Sequence, residues 1–421
     1  VDVWLVSLCA SRTFNMLVFQ AYAAALPVLW HAWGLTAVQA GSISTGFQAG
    51  YAVSLLCFSA LADRVGARRV FIWSGLLSAV VALVFALFAR SYLSGLVLYT
   101  MVGLSQGGTY TTAIMLIADR YPPARRGGAV GWLLASSSLG YAGSLLLSGA
   151  ALGFGGYPLA FVLTGVGPAI GMALAWLALK ATPNHVHARA QGGRFGGEVL
   201  SNGPAMRLML GYTFHSWELL GMWAWTPAFV AAAVGAGGAT VLRAAELGAF
   251  MSAAFHLTGL VASFSMGRLS DRLGRRAVLI AMAATATACS FAFGWLIGWP
   301  LALVFVVGAV YAFTALGDSP VLSTAMTEAV RPSYLGSALA LRSLLGFGAG
   351  AIAPLAFGAV LKATNPAGPA PTSWGWAFVT LGLGGLAATI CAWGLPRTLG
   401  GSGRPDRTGE VITGLQPSSK S

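Results

Sequence analysis

Ala60-Leu61-Ala62-Asp63-Arg64-Val65-Gly66-Ala67-Arg68-Arg69 returns half a chain later as Met266-Gly267-Arg268-Leu269-Ser270-Asp271-Arg272-Leu273-Gly274-Arg275-Arg276. In both copies an Asp-Arg pair is followed, two residues after the Arg, by a glycine and then by a basic pair. Each copy joins the second and third apolar runs of its half. A charged, glycine-bent connector repeated between hydrophobic helices signals a duplicated membrane bundle. Asp63 and Asp271 are placed to cap the helix that follows or to meet its positive end. Gly66 and Gly274 allow a tight turn, and the basic residues, Arg64 and Arg272 among them, hold the connector on the cytoplasmic side. These six residues are the candidate gating-loop set.

Composition agrees. The chain of 421 residues is 57% hydrophobic and only 8% charged, whereas a soluble domain carries about 25% charged residues. The apolar content is enough for roughly twelve spans of about 20 residues. The net charge of +13 is scattered over short loops with no basic face, so no nucleic-acid partner is expected. Cys9, Cys57, Cys289 and Cys391 lie in apolar runs without paired spacing, which indicates neither a disulfide nor a zinc site. The first apolar run is too long, and interrupted by Arg12, for a cleavable signal peptide. No cofactor and no metal is expected.

The pattern predicts an all-α membrane protein with twelve transmembrane helices in two pseudo-symmetric six-helix bundles. Spans read at about 4–27, 38–61, 70–89, 92–118, 128–151 and 157–179, then 207–232, 244–267, 277–297, 300–328, 336–361 and 374–395. Residues 1–179 form the N-terminal bundle and 207–396 the C-terminal bundle. The polar, glycine-rich stretch 180–206 is a cytoplasmic linker, and 397–421 a disordered cytoplasmic tail. Of the 24 Lys and Arg, 19 fall on the side of the two repeats, three on the other (Arg90, Arg243, Lys362) and two within spans (Arg12, Arg342). That asymmetry places both termini and the linker in the cytoplasm.

Ionisable groups inside spans are costly and are functional candidates by default. Arg12 lies about 12 Å into span 1 at 1.5 Å per residue, with Asn15, Phe19 and Tyr22 following. Span 7 carries Tyr212, His215, Trp217, Glu218, Trp223 and Trp225. His215 and Glu218 share a face, a pairing suited to proton uptake and release. Span 10 puts Tyr311, Thr314 and Asp318 on one face, and Pro320 frees a carbonyl there for an ion or substrate. Arg342 in span 11 either faces the interior or snorkels to the interface. Glu328 reads as a gate or surface charge and His256 as a packing histidine. Gln48, Tyr51, Gln106, Tyr110, Ser137 and Tyr141 suit hydrogen bonding to a polar solute. The candidate substrate-binding set is thus Arg12, Asn15, Tyr22, Gln48, Tyr51, Gln106, Tyr110, Tyr141 and Arg342. The proton-coupling set is His215, Glu218 and Asp318.

The duplicated connector resembles the loop between spans 2 and 3 of the major facilitator superfamily. A second stretch, Ala118-Asp119-Arg120-Tyr121-Pro122-Pro123-Ala124-Arg125-Arg126-Gly127, is similar to that family's loop between spans 4 and 5. The resemblance covers nearly the whole chain and implies two six-helix bundles, a central cavity and alternating access. Within the family the chain looks most like bacterial nitrate/nitrite and cyanate permeases. Ala40-Gly41-Ser42-Ile43 with Gly50-Tyr51, Gly211-Tyr212-Thr213-Phe214-His215-Ser216-Trp217-Glu218 and Gly317-Asp318-Ser319 carry that likeness. Gln48 and His256 stand where nitrate porters place arginines, and Gly103 stands near the span-4 arginine of many proton-coupled members. Gly140-Tyr141-Ala142-Gly143 lacks the proline of the drug antiporters.

The expectation is a secondary transporter of the plasma membrane, monomeric, moving a small polar solute, an anion by its interior arginines, with protons as the coupling ion. A multidrug or metabolite exporter is the alternative. An enzyme would need a convergent nucleophile or metal cluster, which the sequence does not offer. A cysteine introduced at Gly192, in a background without the native cysteines, is expected to resist a membrane-impermeant thiol reagent added to intact cells. Labelling from outside would overturn the assigned topology.

Overall fold

The computed structural model describes residues 2–186, 199–366 and 371–397. The linker stretch around Gly192 and the tail beyond Arg397 lie outside these. Among the described residues the regular structure is helical. The first span is broken: α1 (Val3–Asn15) passes through a 3-10 turn at Met16–Val18 into α2 (Ala21–Ala32). Then follow α3 (Ala37–Val65), α4 (Ala67–Phe88), α5 (Tyr92–Arg120), α6 (Pro123–Gly165) and α7 (Gly167–Leu179). The second half holds α8 (Gly203–Ala236), α9 (Val241–Leu273), α10 (Arg275–Phe293), α11 (Leu301–Ala329), α12 (Pro332–Thr364) and α13 (Gly375–Trp393).

Ten stretches are long and apolar enough to cross a membrane, one of them the 55 residues of Arg125–Leu179. That stretch bends at Gly155 and Gly156, the latter at φ 65°, and so crosses twice. The 29-residue α5 adds one more, its hydropathy lowered by Ser105, Gln106, Thr109, Thr111 and Thr112. Ten, one and one make twelve crossings among the described residues. Corresponding helices of the two halves open alike: Thr36 caps α3 and Thr240 caps α9, each accepting from the backbone three residues on.

The hinges also match, and they correct one expectation. Asp63 and Asp271 do not cap the following helices. They lie in the last turns of α3 and α9, with Arg64 and Arg272 beside the negative helix ends. Gly66 (φ 94°, ψ 144°) and Gly274 (φ 88°, ψ 144°) join each helix to the next without a side-chain cap. The i+3 reach of a capping Asp from 63 or 271 ends on the glycine itself, so no free amide of the next helix is available to it. Beyond each glycine an arginine ties the hinge to the last helix of its own bundle. Arg68 Nε donates to the Leu179 carbonyl at 2.7 Å, and Arg276 Nη2 to the Trp393 carbonyl at 3.0 Å.

Within each bundle small residues bring backbones together. Gly46 and Gly50 meet Thr100 of α5, Gly140 meets Thr13 and Met16, and Gly350 meets Ser216 and Leu220. Between bundles, α3 packs on α12, α6 on α9, and α2 on α8 and α9. These contacts gather at the face away from the hinges. There Gly41 lies against the Pro354 carbonyl and Gly358 against that of Ala37. Trp225 Nε1 donates to Pro354 at 3.0 Å, and Ala24, Leu145, Ala249 and Ala253 close a small core. Toward the hinge face, the first half of α6 and α5 make no extensive packing with α11 or α12 among the described residues. A side chain at Gly131 or Gly348 would meet open space. The molecule is sealed at one face and parted at the other.

Backbone conformations near φ +90° with extended ψ are costly for any residue but glycine, by about 1–3 kcal/mol. Gly66→Ala and Gly274→Ala should therefore both lower the melting temperature. Gly66→Ala should lower it more, because a Cβ there would strike Asn184 whereas Gly274 borders open space. Thermal unfolding in detergent checks the order; equal losses would contradict it.

Candidate functional site

The broken first span delivers the central residues. Arg12, 4% exposed, sits in the last turn of α1. Its Nε donates to Ser137 Oγ on α6 at 2.8 Å and its Nη2 to the Tyr51 hydroxyl on α3 at 3.4 Å. Its guanidinium lies 4.8 Å from the Tyr110 ring of α5. Nη1 has no partner. Asn15, one turn on, accepts from Gln106 Nε2 through its backbone carbonyl at 2.9 Å and its side-chain oxygen at 3.3 Å. That bond ties α1 to α5 at the break. The carbonyls of Val18 and Phe19, which the break releases, accept from the Tyr99 hydroxyl at 3.3 and 2.6 Å.

Arg342 on α12 answers Arg12 from the other bundle. It is 8% exposed, lies 4.1 Å from the Tyr212 ring and donates from Nη1 to Ser323 Oγ at 3.2 Å. Nε has no partner. It points inward, not to the interface. The charges of both arginines act on Tyr110, and Tyr51 meets Phe347 across the bundles with ring centroids 5.8 Å apart. Among the described residues neither arginine has a carboxylate partner. Two buried cations with unpartnered N–H groups, each flanked by a tyrosine ring, thus lie one in each bundle.

Toward the sealed face lies an aromatic layer. Phe19 and Tyr141 lie 4.7 Å apart, Tyr141 and Trp223 5.2 Å, and Trp223 and His256 5.2 Å. His256 Nε2 is 3.4 Å from Gln20 Nε2, so it joins the bundles at the break in the first span instead of merely filling space on α9. Gln48 reaches the Leu220 carbonyl at 3.4 Å, with its Oε1 unpartnered. Tyr22 lines one small cavity with Phe19, Gln20, Gln48 and Trp223, but its hydroxyl is engaged: it donates to the Ala40 carbonyl at 3.0 Å, with the ring tilted against Tyr99.

The acidic residues occupy the C-terminal bundle. His215 Nδ1 and Asp318 Oδ1 are 3.0 Å apart, close enough to pair charges when the imidazole is protonated, though Oδ1 accepts no aligned hydrogen bond. His215 Nε2 is 2.9 Å from Ser319 Oγ. Glu218 lies beside Tyr311 and within electrostatic range of Asp318. Its packing depends on Gly385, where a Cβ would collide with its carboxylate. The carbonyl that Pro320 frees, that of Leu316, lies 3.5 Å from Ser263 Oγ, whose one proton goes to the nearer Gly259 carbonyl at 3.0 Å. Glu328 is a hinge residue: Arg275 binds it through Nη2 at 2.9 Å and reaches Asp271 through Nη1.

Of the residues gathered here, both arginines, His215, Glu218 and Asp318 are among the candidates drawn from the sequence, whereas Gln20, Tyr99 and Ser323 are not. The break at Met16–Gln20 contains neither proline nor glycine, so nothing in its composition announces it. No group of three or more His, Cys, Asp or Glu among the described residues is arranged to hold a metal.

Two helical bundles packed together at one face and parted at the other, with charged side chains buried among their helices, have the architecture of a membrane transporter. The sequence profile of the Major Facilitator Superfamily matches residues 8–243 and 240–420, and the chain belongs to that family. It is 25% identical over 357 residues to a probable 4-methylmuconolactone transporter of Cupriavidus pinatubonensis, covering 80% of this chain and 79% of that one. Over 214 residues it is 24% identical to the probable anion transporter 4, chloroplastic, of Arabidopsis thaliana, covering 45% and 40% of the two chains. The crystal structure of a bacterial homologue of the human lysosomal transporter Spinster, inward-facing and unoccupied, superposes with a TM-score of 0.69. The identity is 18%, with coverage of 93% of this chain and 94% of that one.

Because Arg12 is held by Ser137 and Tyr51 and not by Glu218, the Glu218→Gln variant should keep its wild-type melting temperature. Were Glu218 the partner of a buried arginine, the loss would be about 3–5 kcal/mol. A thermal-shift comparison of the two proteins decides between them.

Proposed function

We propose that this protein is a secondary active transporter that carries a small organic anion across the plasma membrane by alternating access, coupled to protons. The observation that carries the proposal is the facing pair Arg12 and Arg342, one per bundle, each buried, without a carboxylate and with an unpartnered N–H. A buried cation is expensive without an anion, and here the substrate supplies it. The tyrosine and phenylalanine walls favour a solute with an apolar body. Gln48 and His256, in place of the arginines of nitrate porters, argue against nitrate. Relatives named for anions and for 4-methylmuconolactone lean the same way. A multidrug exporter of cationic compounds fits poorly with two unneutralised arginines.

Binding between the arginines draws the bundles together at the parted face and so favours exposure of the site at the other. The basic-residue count makes the hinge face cytoplasmic, which makes the captured conformation inward-facing with both termini inside. Glu218, Asp318 and His215 hold the coupling proton, while Asp63, Arg64, Gly66, Asp271, Arg272 and Gly274 govern the hinges. The unit is the monomer: all elements of the path come from one chain.

Arg12→Ala should abolish the thermal shift given by a binding anion while leaving folded protein, and Arg12→Lys should restore it in part. Lysine keeps the charge but loses the planar fork. A screen of small carboxylates, inorganic anions, sugars and cationic drugs identifies the ligand class. Stabilisation by drugs alone, or undiminished anion binding by Arg12→Ala, would remove the basis of the proposal. In vesicles Glu218→Gln should retain substrate exchange and lose accumulation driven by a pH gradient; normal accumulation would leave Asp318 as the proton carrier.

A further inference from the structure

A cleft of ≈ 330 Å³ lies at the face away from the hinges, on the seam between the bundles. Pockets for small organic ligands begin at about 300 Å³. Trp30, His31 and Leu35 wall it from the first bundle, and Leu361, Lys362 and Asn365 from the second. Leu35 and Leu361 are buried, while His31 and Lys362 stand exposed at the mouth. Beneath it the Trp30 ring meets that of Trp225 across the bundles, with 6.1 Å between centroids. The second wall is built firmly. Asn365 Nδ2 donates to the Leu361 and Ser373 carbonyls at 2.9 and 2.8 Å, and its Oδ1 accepts from the Thr372 and Ser373 amides. The charge of the cleft is one-sided. Among the described residues no Asp or Glu lines it, and the carboxylate of this face, Glu246, is taken by Arg243 at 2.8 Å.

Resting on the reading that the sealed face opens during transport, we infer that this cleft is a second anion site and that its occupant holds the sealed face shut. The ligand is a small organic anion with an apolar body, arriving from the side opposite the hinges. Its charged group meets Lys362 and also His31, which offers an N–H in either protonation state. Its body lies on Trp30, Leu35 and Leu361. Both walls touch such a ligand only while the bundles are together there, so binding favours the sealed conformation. An anion between Arg12 and Arg342 acts in the opposite direction, since it draws the other face together. Lys362 and His31 are exposed and screened by salt, so the cleft fills at higher concentrations than a site of buried arginines. An anion that accumulates outside slows the opening through which it would enter or leave, a brake set apart from the path itself.

The test reads how often the sealed face opens. Ser44, 7% exposed, lies between the bundles beneath the cleft, in the cavity it shares with Gln48 and Trp223. In a full chain without the native cysteines, Ser44→Cys is labelled in intact cells by a membrane-impermeant thiol reagent only when that face opens. Benzenesulfonate added outside should slow labelling severalfold, and neutral benzenesulfonamide, of the same shape, should not. With His31→Gln and Lys362→Gln added, benzenesulfonate should lose its effect, and Lys362→Arg should keep it. Gln48→Cys serves as reporter if Ser44→Cys does not reach the membrane. Unchanged labelling with benzenesulfonate, equal slowing by benzenesulfonamide, or slowing that survives His31→Gln with Lys362→Gln would overturn the cleft as an anion site. Faster labelling would place the anion at the arginines instead, overturning the brake and leaving the proposed transport site intact. A reporter never labelled without ligand would remove the opening itself, and the brake with it.

Discussion

A guanidinium in the middle of a membrane protein must be solvated by the protein, and Arg12 is solvated only in part. Ser137, Tyr51 and the face of Tyr110 take some of its donors and one is left over. Hydrocarbon cannot supply the remainder, so the helices around it carry the polar groups that can: Asn15, Tyr51, Tyr110 and Ser137. The break at Met16–Gln20 turns the first span there, and the carbonyls it frees are bound by Tyr99. The Asn15–Gln106 bonds then clamp the broken helix to α5. Polar neighbours, break and clamp all follow from keeping one cation inside and incompletely paired.

The charges divide between the halves in a way their common ancestry does not require. The N-terminal interior holds Arg12 and tyrosines. The C-terminal interior holds Arg342 and also Glu218, Asp318, His215 and His256. Duplication supplied the frame, visible in the matched caps at Thr36 and Thr240 and in the arginines that tie each hinge to its last helix. The side chains filling that frame diverged, so that the buried carboxylates and histidines lie in the second bundle only among the described residues.

The frame was legible because lipid imposes it. Long apolar runs, a lopsided basic count and a doubled hinge leave little freedom in helix number or topology. Site residues carrying charge were legible for the same reason, since Arg12, Glu218 and Asp318 have no cheap explanation in a span. What stayed hidden depends on tertiary contact. Tyr22 shares a helix face with the candidates, yet Ala40 takes its hydroxyl. His256 looks like filler until Gln20, two bundles' width away in sequence, is seen beside it. The capping role given to Asp63 and Asp271 failed because the helices run on through them to the glycines.

The two hinges share a backbone but not a fastening. In the first half Asn184, from the segment after α7, reaches back to the Val65 carbonyl at 2.8 Å and receives the Arg69 amide at 3.2 Å. In the second half Arg275, in place of Ala67, clasps Glu328 and Asp271. Neutral hydrogen bonds are indifferent to dissolved ions, whereas an ion pair with Asp271 at 61% exposure is weakened by them. The molecule is therefore a lever with one fulcrum fixed and one adjustable. The ionic strength of the surrounding solution loosens the fastening of the second hinge more than that of the first, so the two hinges do not stiffen and relax together.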